Sequence, residues 1–285
     1  MRWRRNQYTP AVPGPVSDTS PADLEVLYRI GLAVERVVRD AMTSPHRGDV
    51  VAMGADGTPT EELDRAAEAE ILSMLESEGV DWDLVSEEAG HVARGGHRTL
   101  VVDPIDGTLN ALRNLPFSTV SLALGSGDLA GIDVGLVHDL YRGTTWWGIR
   151  GGGAYVDGRP IRTRKWNSRS EVMVVNLGTR ATERAVRFAG RGLRVRSLGC
   201  ASLEMLMVAQ GSADAYLFEN VDGRRNLRST DIAAAHRILL EAGGGASDAD
   251  GRPLAEFPLG VTRRTSVYAW GDAALEHALA ERGTP

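Results

Sequence analysis

The sequence predicts a mixed protein of the α+β or α/β class, and three changes of texture along the chain predict it. Two stretches with apolar residues at helical spacing lie before residue 77. Short β-type runs separated by Gly and Asp turns fill residues 83 to 161, and after Arg164 strand-like and helix-like segments alternate. At 285 residues the chain can bury a large core, as one big domain or two closely packed halves. The texture divides it into a tail over 1–20, a half over 21–168 and a half over 169–285. The tail, with Pro10, Pro13 and Pro15 among small polar groups, has no periodicity and reads as flexible.

The first helix is expected from Ser20. Ser20 can cap it, Pro21 fits its first position, and Leu24, Leu27, Ile30, Val34, Val37 and Ala41 recur at helical spacing. A second helix is expected at "TPTE", where Thr58 and Glu61 have capping-box spacing, and Leu63, Ala67, Ile71, Met74 and Leu75 form its apolar stripe. Asp64 lies beside that stripe, where it needs a partner if buried. The runs "DLVS", "TLVVD", "TVSLALG", "GIDVGLVHD" and "TTWWGIR" read as strands. The glycine cluster of "GGGAYVDGRPI" lacks a Gly-Lys-Ser/Thr ending and a following helix, so it reads as a hairpin turning at Asp157-Gly158 rather than a phosphate loop. Trp146 and Trp147 read as strand packing. Beyond Arg164 the order is "EVMVVNLG", a helix near Thr182 to Ala189, "LRVRSLG", a helix from Ala201 to Gln210, "DAYLFE", and the helix "DIAAAHRILLEAGG".

Bulk chemistry restricts the setting. With 32 basic and 38 acidic residues, a net charge of −6, the chain is not suited to a nucleic-acid partner held through phosphate charge. The single cysteine, Cys200, cannot form an internal disulfide, which suits a reducing compartment. No apolar run approaches the roughly 18 residues that span a bilayer, and "RWRR" is followed by polar, proline-rich sequence rather than the apolar core of an export signal. A cytoplasmic location without membrane contact is expected. The six histidines show no metal-ligand spacing.

The acids carry the chemistry. In "LVVDPIDGTLN", Leu100-Val101-Val102 reads as a buried strand that Pro104 ends, leaving Asp103 at its C-terminal edge. Gly107 permits a left-handed turn, and Thr108 is a helix cap whose following amides face an anion. Taken singly, each acid has an ordinary use: Asp103 or Asp106 as a cap or a solvated charge, Glu87 and Glu88 as surface charge, Asp231 as a helix cap. Taken together, carboxylates without histidine or thiolate companions suit Mg²⁺, and two such ions can activate a water and stabilise a leaving oxygen in phosphoryl displacement.

In order and spacing, "SEEAG" (86–90), "DPIDGTLN" (103–110) and "STDIAAAHRILLEAGG" (229–244) resemble the three signatures of the inositol monophosphatase family of Mg²⁺-dependent, lithium-sensitive phosphatases, over roughly residues 22 to 280. "GADGTPTEELD", "RVRSLGCASLEM" and "GSADAY" look most like the archaeal subgroup that cleaves both fructose 1,6-bisphosphate and inositol monophosphates. The resemblance implies a layered αβαβα sandwich and a homodimer. It implies two or three Mg²⁺ ions, with Mn²⁺ as a substitute and Li⁺ as an inhibitor. By matched position, Glu87, Asp103, Asp106 and the carbonyl of Ile105 would bind the first two metals, and Asp231 would complete the second. Asp64 and Thr108 would position the attacking water, Gly107 and Thr108 would hold the phosphate through their amides, and Gly199, Cys200 and Ala201 would line the substrate pocket through backbone, with no thiol chemistry. The first half would carry most metal ligands and the second would complete the site.

One departure bears on substrate. Where inositol-selective members place a glutamate that bonds ring hydroxyls, this chain has Phe218, and Glu219, one place on, faces the other side of a strand. Arg196, Arg225 and Arg228 are then candidate ligands for a phosphate that is bound but not cleaved. The expected activity is hydrolysis of a small sugar or cyclitol phosphate, with fructose 1,6-bisphosphate preferred over inositol 1-phosphate. The alternatives are a nucleotide 3′-phosphatase of the adenosine 3′,5′-bisphosphate type, and a metal-dependent binding or regulatory protein without turnover.

Overall fold

The structure, a computed structural model, describes residues 21–55 and 57–275. Helix α1 (Pro21–Ala41) buries Leu24, Leu27, Ile30, Val34 and Val38. Val38 rather than Val37 is the buried residue of the following turn, because 3.6 residues per turn carry the buried face forward, and Ala41 packs against the same cluster as expected; the expected Ser20 cap lies outside the described residues. A two-stranded antiparallel ribbon of β1 (Val50–Met53) and β2 (Pro59–Glu61) follows. It corrects the start of the second helix. Pro59–Glu61 is extended and paired with β1, so α2 (Glu62–Ser77) begins at Glu62, and its capping box joins Glu61 and Asp64 rather than Thr58 and Glu61.

The larger sheet is formed by β3 (Asp83–Ser86), β4 (Gly90–Val92), β5 (Thr99–Asp106), β6 (Thr119–Gly125), β7 (Ile132–Asp139), β8 (Thr145–Ile149), β9 (Gly153–Val156) and β10 (Arg159–Ile161). A short helix α3 (Thr108–Leu112) leaves β5. Strand order is β10-β9-β8-β7-β6-β5-β3-β4, antiparallel except for β3 beside β5. The expected hairpin joins β9 to β10 through Asp157 and Gly158, both at positive φ, and Trp147 stacks on Tyr155 with ring centres 4.1 Å apart. Both faces of this sheet are covered. Leu100, Val102, Leu122 and Leu136 pack with α1 and α2, while the alternate residues Val101, Ala123 and Val137 pack on the other side, which is why these strands read as continuous apolar runs.

The smaller sheet, in the order β12-β11-β13-β15-β14, comprises β11 (Met173–Val175), β12 (Val195–Arg196), β13 (Ala215–Phe218), β14 (Gly245–Ser247) and β15 (Val267–Trp270). Helices α5 (Ala201–Ala209) and α6 (Ser229–Glu241) lie between the two sheets, and α4 (Glu183–Arg191), capped by Thr182, covers the far side of β11. The layers are therefore α1 and α2, large sheet, α5 and α6, small sheet, α4: the expected αβαβα sandwich. Three hydrophobic clusters fill the four interlayer spaces, the largest centred on α5 and α6. Helix α6 sits very close to the large sheet; a Cβ on Gly135 would come within 2.4 Å of the carbonyl oxygen of Ala234. None of the helices among the described residues is long and apolar enough to cross a membrane.

Candidate active site

Parallel pairing of β3 with β5, Ser86 opposite Val102, brings Glu87 and Asp103 to the same end of two adjacent strands. Strand β5 does not stop before Pro104 as expected. It runs to Asp106 through a bulge: Asp103 pairs with Ser121 and Asp106 with Thr119, so three steps on β5 match two on β6. Pro104 has no N–H for the ladder, and a bulge is where a strand tolerates it. The bulge has a chemical consequence. In a regular strand, residues three apart face opposite sides; one extra residue returns Asp106 to the side of Asp103.

Helix α6 supplies the third acid. It starts at Ser229, two residues earlier than expected, which makes Asp231 a residue of the first turn rather than its opener; the Asp231 carboxylate accepts the Arg228 N–H at 2.5 Å. Glu87, Asp103 and Asp231 offer ligand oxygens that all lie within 4.8 Å of one another. Burial raises the pKa of Glu87 and Asp103 well above the usual carboxylate range, and the neighbouring acids, Asp231 for Glu87 and Glu87 for Asp103, raise them further. Buried carboxylates held this close are costly unless a cation neutralises them. The donor set is hard oxygen alone, which fits Mg²⁺.

Asp106 is turned differently. Its Oδ1 accepts from Ala201 N at 3.1 Å, and its Oδ2 accepts from Ser202 N and Ser202 Oγ, each at 2.6 Å, so the carboxylate binds the first amides of α5. Burial nevertheless raises its pKa to about 6. The Cys200 thiol, itself pushed up chiefly by burial and then by Asp106, lies 3.3 Å from Oδ2. Burial and a raised pKa both lower the reactivity of such a thiol.

Asp64 and Thr108 meet although 44 residues apart. Thr108 Oγ1 lies 3.0 Å from Asp64 Oδ1 and 2.9 Å from the carbonyl oxygen of Ile105. Thr108 is not the cap of α3: Gly107, at φ 85°, takes that position, and a Cβ there would come within 2.7 Å of the Phe117 carbonyl oxygen. Burial, then Glu61 and Glu88, raise the Asp64 pKa to about 8. Gly107 also abuts Gly199 and Cys200, a segment anchored by Asn110 Nδ2 on the carbonyls of Leu198 (2.8 Å) and Gly199 (3.1 Å) and by Glu204, which accepts from Leu198 N at 2.5 Å. Gly107, Thr108, Gly199, Cys200 and Ala201 are thus brought together.

The arginines divide. Arg228 Nη1 lies 3.0 Å from Glu87 Oε2 and 3.4 Å from Asp231 Oδ1. Arg225 lines a cavity of about 480 Å³ together with Arg180, Arg224, Asn220 and Phe218, and Asp231 and Arg228 stand in the same wall. Arg196 is exposed on β12, bonds the Val195 carbonyl, and is not among the residues lining that cavity.

A profile of the inositol monophosphatase family matches residues 19–282. The chain belongs to the inositol monophosphatase family. It is 36% identical over 269 residues to the fructose-1,6-bisphosphatase/inositol-1-monophosphatase of Methanothermobacter thermautotrophicus, covering 89% of this chain and 94% of that protein. It is 29% identical to the bifunctional NADP phosphatase/NAD kinase of Methanococcus maripaludis, over 86% of this chain and 46% of that protein. Among solved structures, an inositol monophosphatase-fructose 1,6-bisphosphatase superposes with a TM-score of 0.77 at 27% identity, covering 90% of this chain and 98% of that one.

Within the family frame, Glu219 is accounted for. Arg184 bonds both of its carboxylate oxygens, and Thr182 Oγ1 donates to Oε2 at 2.6 Å, so Glu219 is tied to α4 while Phe218 and Asn220 face the cavity. Sequence reasoning did not single out Ser202, Glu204 or Arg180. Ser202 follows the recognised Gly199–Ala201 segment directly and could have been found as the N-terminal donor of a helix facing an acid; Arg180 carries no local signal.

Proposed function

We propose that this protein is a Mg²⁺-dependent phosphomonoesterase acting on a small phosphate ester that carries a second anionic group, of the fructose 1,6-bisphosphate type. The observation that carries the proposal is the convergence of Glu87, Asp103 and Asp231 within 4.8 Å. Glu87, Asp103, Asp106, Asp231 and the Ile105 carbonyl would hold the metals, with Asp106 also fixing the start of α5. Bound Mg²⁺ supplies Lewis acidity to the phosphoryl oxygens and lowers the pKa of water. The Asp64–Thr108 pair would orient the attacking water and accept its proton, a role suited to a carboxyl with a pKa near the working pH. The amides of Gly107 and Thr108 receive the phosphate to be cleaved. Arg225, with Arg180 and Arg224, receives the second anion from the cavity wall.

One feature supports this reading over a binding protein without turnover: the hydroxyl–carboxylate contact of Thr108 and Asp64 suits water positioning. A second reading, cleavage of a nucleotide phosphomonoester, draws on the likeness to part of a bifunctional NADP phosphatase/NAD kinase. A phosphate-release screen with Mg²⁺, Mn²⁺, Li⁺ and EDTA arms tests both. Turnover of fructose 1,6-bisphosphate above inositol 1-phosphate supports the first reading. Preference for NADP or adenosine 3′,5′-bisphosphate supports the second, and no release from any ester rejects both. The proposal includes a homodimer, read by sedimentation velocity.

A further inference from the structure

Arg228 stands inside the carboxylate cluster. Its Nη1 is 3.0 Å from Glu87 Oε2 and 3.4 Å from Asp231 Oδ1, and its side chain is only 12% exposed. Chain geometry fixes that place. Arg228 is the residue before α6, and its own N–H donates to Asp231 Oδ2 at 2.5 Å, so one carboxylate receives both the main chain and the side chain of the same residue. The guanidinium therefore occupies the approach to two of the three acids that converge within 4.8 Å. A divalent cation taken up by Glu87 and Asp231 would lie within a few ångströms of that fixed positive charge, in a poorly solvated setting where like charges repel strongly. Burial already disfavours the charged guanidinium, and Asp231 supports it.

We infer that Arg228 is an internal counter-cation of the metal site: it holds Glu87 and Asp231 together when no metal is bound and weakens metal affinity by competing for their oxygens. This rests on the metal-ligand reading of Glu87 and Asp231 given above. The guanidinium has somewhere to go, because Arg228 also lines the adjoining cavity of about 480 Å³. Arg228 is thus a positioning residue, acting through the two carboxylates rather than on the ester.

The test is calorimetric titration of Mg²⁺ into the full-length, EDTA-stripped protein, with thermal melting in EDTA and in saturating Mg²⁺, for wild type, Arg228→Met, Arg228→Lys and Glu87→Gln. Arg228→Met, which keeps the apolar stem and loses the charge, should bind Mg²⁺ on the order of tenfold more tightly, melt earlier than wild type in EDTA, and recover in Mg²⁺. Arg228→Lys, still cationic, should stay near wild-type affinity, a distinction that a merely structural role would not produce. Unchanged or weaker Mg²⁺ binding in Arg228→Met overturns the inference. So does failure of that variant to fold even in saturating Mg²⁺, since the metal should replace the guanidinium. If wild type and Glu87→Gln bind Mg²⁺ alike, the metal-ligand reading itself has failed, and this inference falls with it.

Discussion

The Thr108 hydroxyl lies 3.0 Å from Asp64 Oδ1 and 2.9 Å from the Ile105 carbonyl oxygen, joining the first turn of α2 to the turn that leaves β5. A hydroxyl has one proton to give and lone pairs to receive another, so Thr108 can donate to Ile105 while accepting from a protonated Asp64. With the Asp64 pKa at about 8, the pair can hold or release one proton near neutrality. Asp64→Asn should therefore lower kcat by roughly 10²- to 10⁴-fold while leaving the Mg²⁺ affinity and KM nearly unchanged. Thr108→Val should follow it and Thr108→Ser should retain most of the rate. Steady-state kinetics with a Mg²⁺ titration reads all three; loss of Mg²⁺ binding with kcat intact in Asp64→Asn would reassign Asp64 as a ligand.

Asp103 and Asp106 share a motif but make different contacts. Sequence alone expects Asp103→Asn and Asp106→Asn each to abolish turnover with the fold intact. The Asp106 carboxylate, however, accepts from Ala201 N, Ser202 N and Ser202 Oγ, so it also secures the start of α5. Removing it in Asp106→Ala should cost about 1 kcal/mol or more of stability, as for loss of a helix cap, or about 2–4 °C in melting temperature per kcal/mol for a chain of this size. Asp103→Asn should lose turnover and, measured in EDTA, keep or gain thermal stability, because it removes a charge that its neighbours repel. Equal melting temperatures for the two variants would refute the division.

How much of this was legible in the sequence depends on where each interaction is encoded. The layers were readable because apolar residues alternate on strands such as Leu100–Val102 and recur by helical period on α1. The acids were readable through their motifs. The start of α2 was not, because Thr58-Pro59 satisfies a local capping pattern while pairing of Pro59–Glu61 with β1, set by residues six to eleven positions earlier, overrides it. The β5 bulge was half visible: Pro104 announces an interruption, but whether the strand ends or bulges is decided by β6. The charge of Arg228 is evident from sequence, whereas its approach to Glu87, 141 positions away, is not.

Metal removal should make stability depend on pH in a defined direction. Folding raises the pKa of Asp64 to about 8 and of Asp106 to about 6, with Glu87 and Asp103 also raised. The folded state therefore binds more protons than the unfolded one between the ordinary carboxylate pKa near 4 and those raised values. Stability is full below about pH 4, as far as these groups are concerned, and falls as pH rises towards 8. Melting temperature in EDTA should drop between pH 5 and pH 8, and saturating Mg²⁺ should remove most of that slope by favouring the charged forms. A slope of the same size with and without Mg²⁺ would show that these carboxylates do not hold the metal.

On the proposed function, substrate choice would turn on the two sides of β13. Phe218 faces the cavity, where an apolar ring cannot accept hydrogen bonds from a polyol, and Glu219 is held away from it by Arg184 and Thr182. The cavity wall offers cations instead: Arg180, Arg224 and Arg225. Arg225 is 53% exposed and 3.7 Å from Asp222, so its contribution is screened and belongs at the lower end for a charged hydrogen bond. Arg225→Ala should cost about 1–2 kcal/mol against a bisphosphate, roughly a 5- to 30-fold fall in kcat/KM, with little effect on inositol 1-phosphate, which has no second anion to lose. Phe218→Glu should move preference the other way, improving inositol 1-phosphate relative to fructose 1,6-bisphosphate by adding an acceptor and a repelling charge to the same wall. The measurement is the ratio of kcat/KM for the two esters in wild type and both variants. Parallel losses on both esters in Arg225→Ala would place that arginine outside the second-anion site, and a wild-type ratio favouring inositol 1-phosphate would reject the bisphosphate reading altogether.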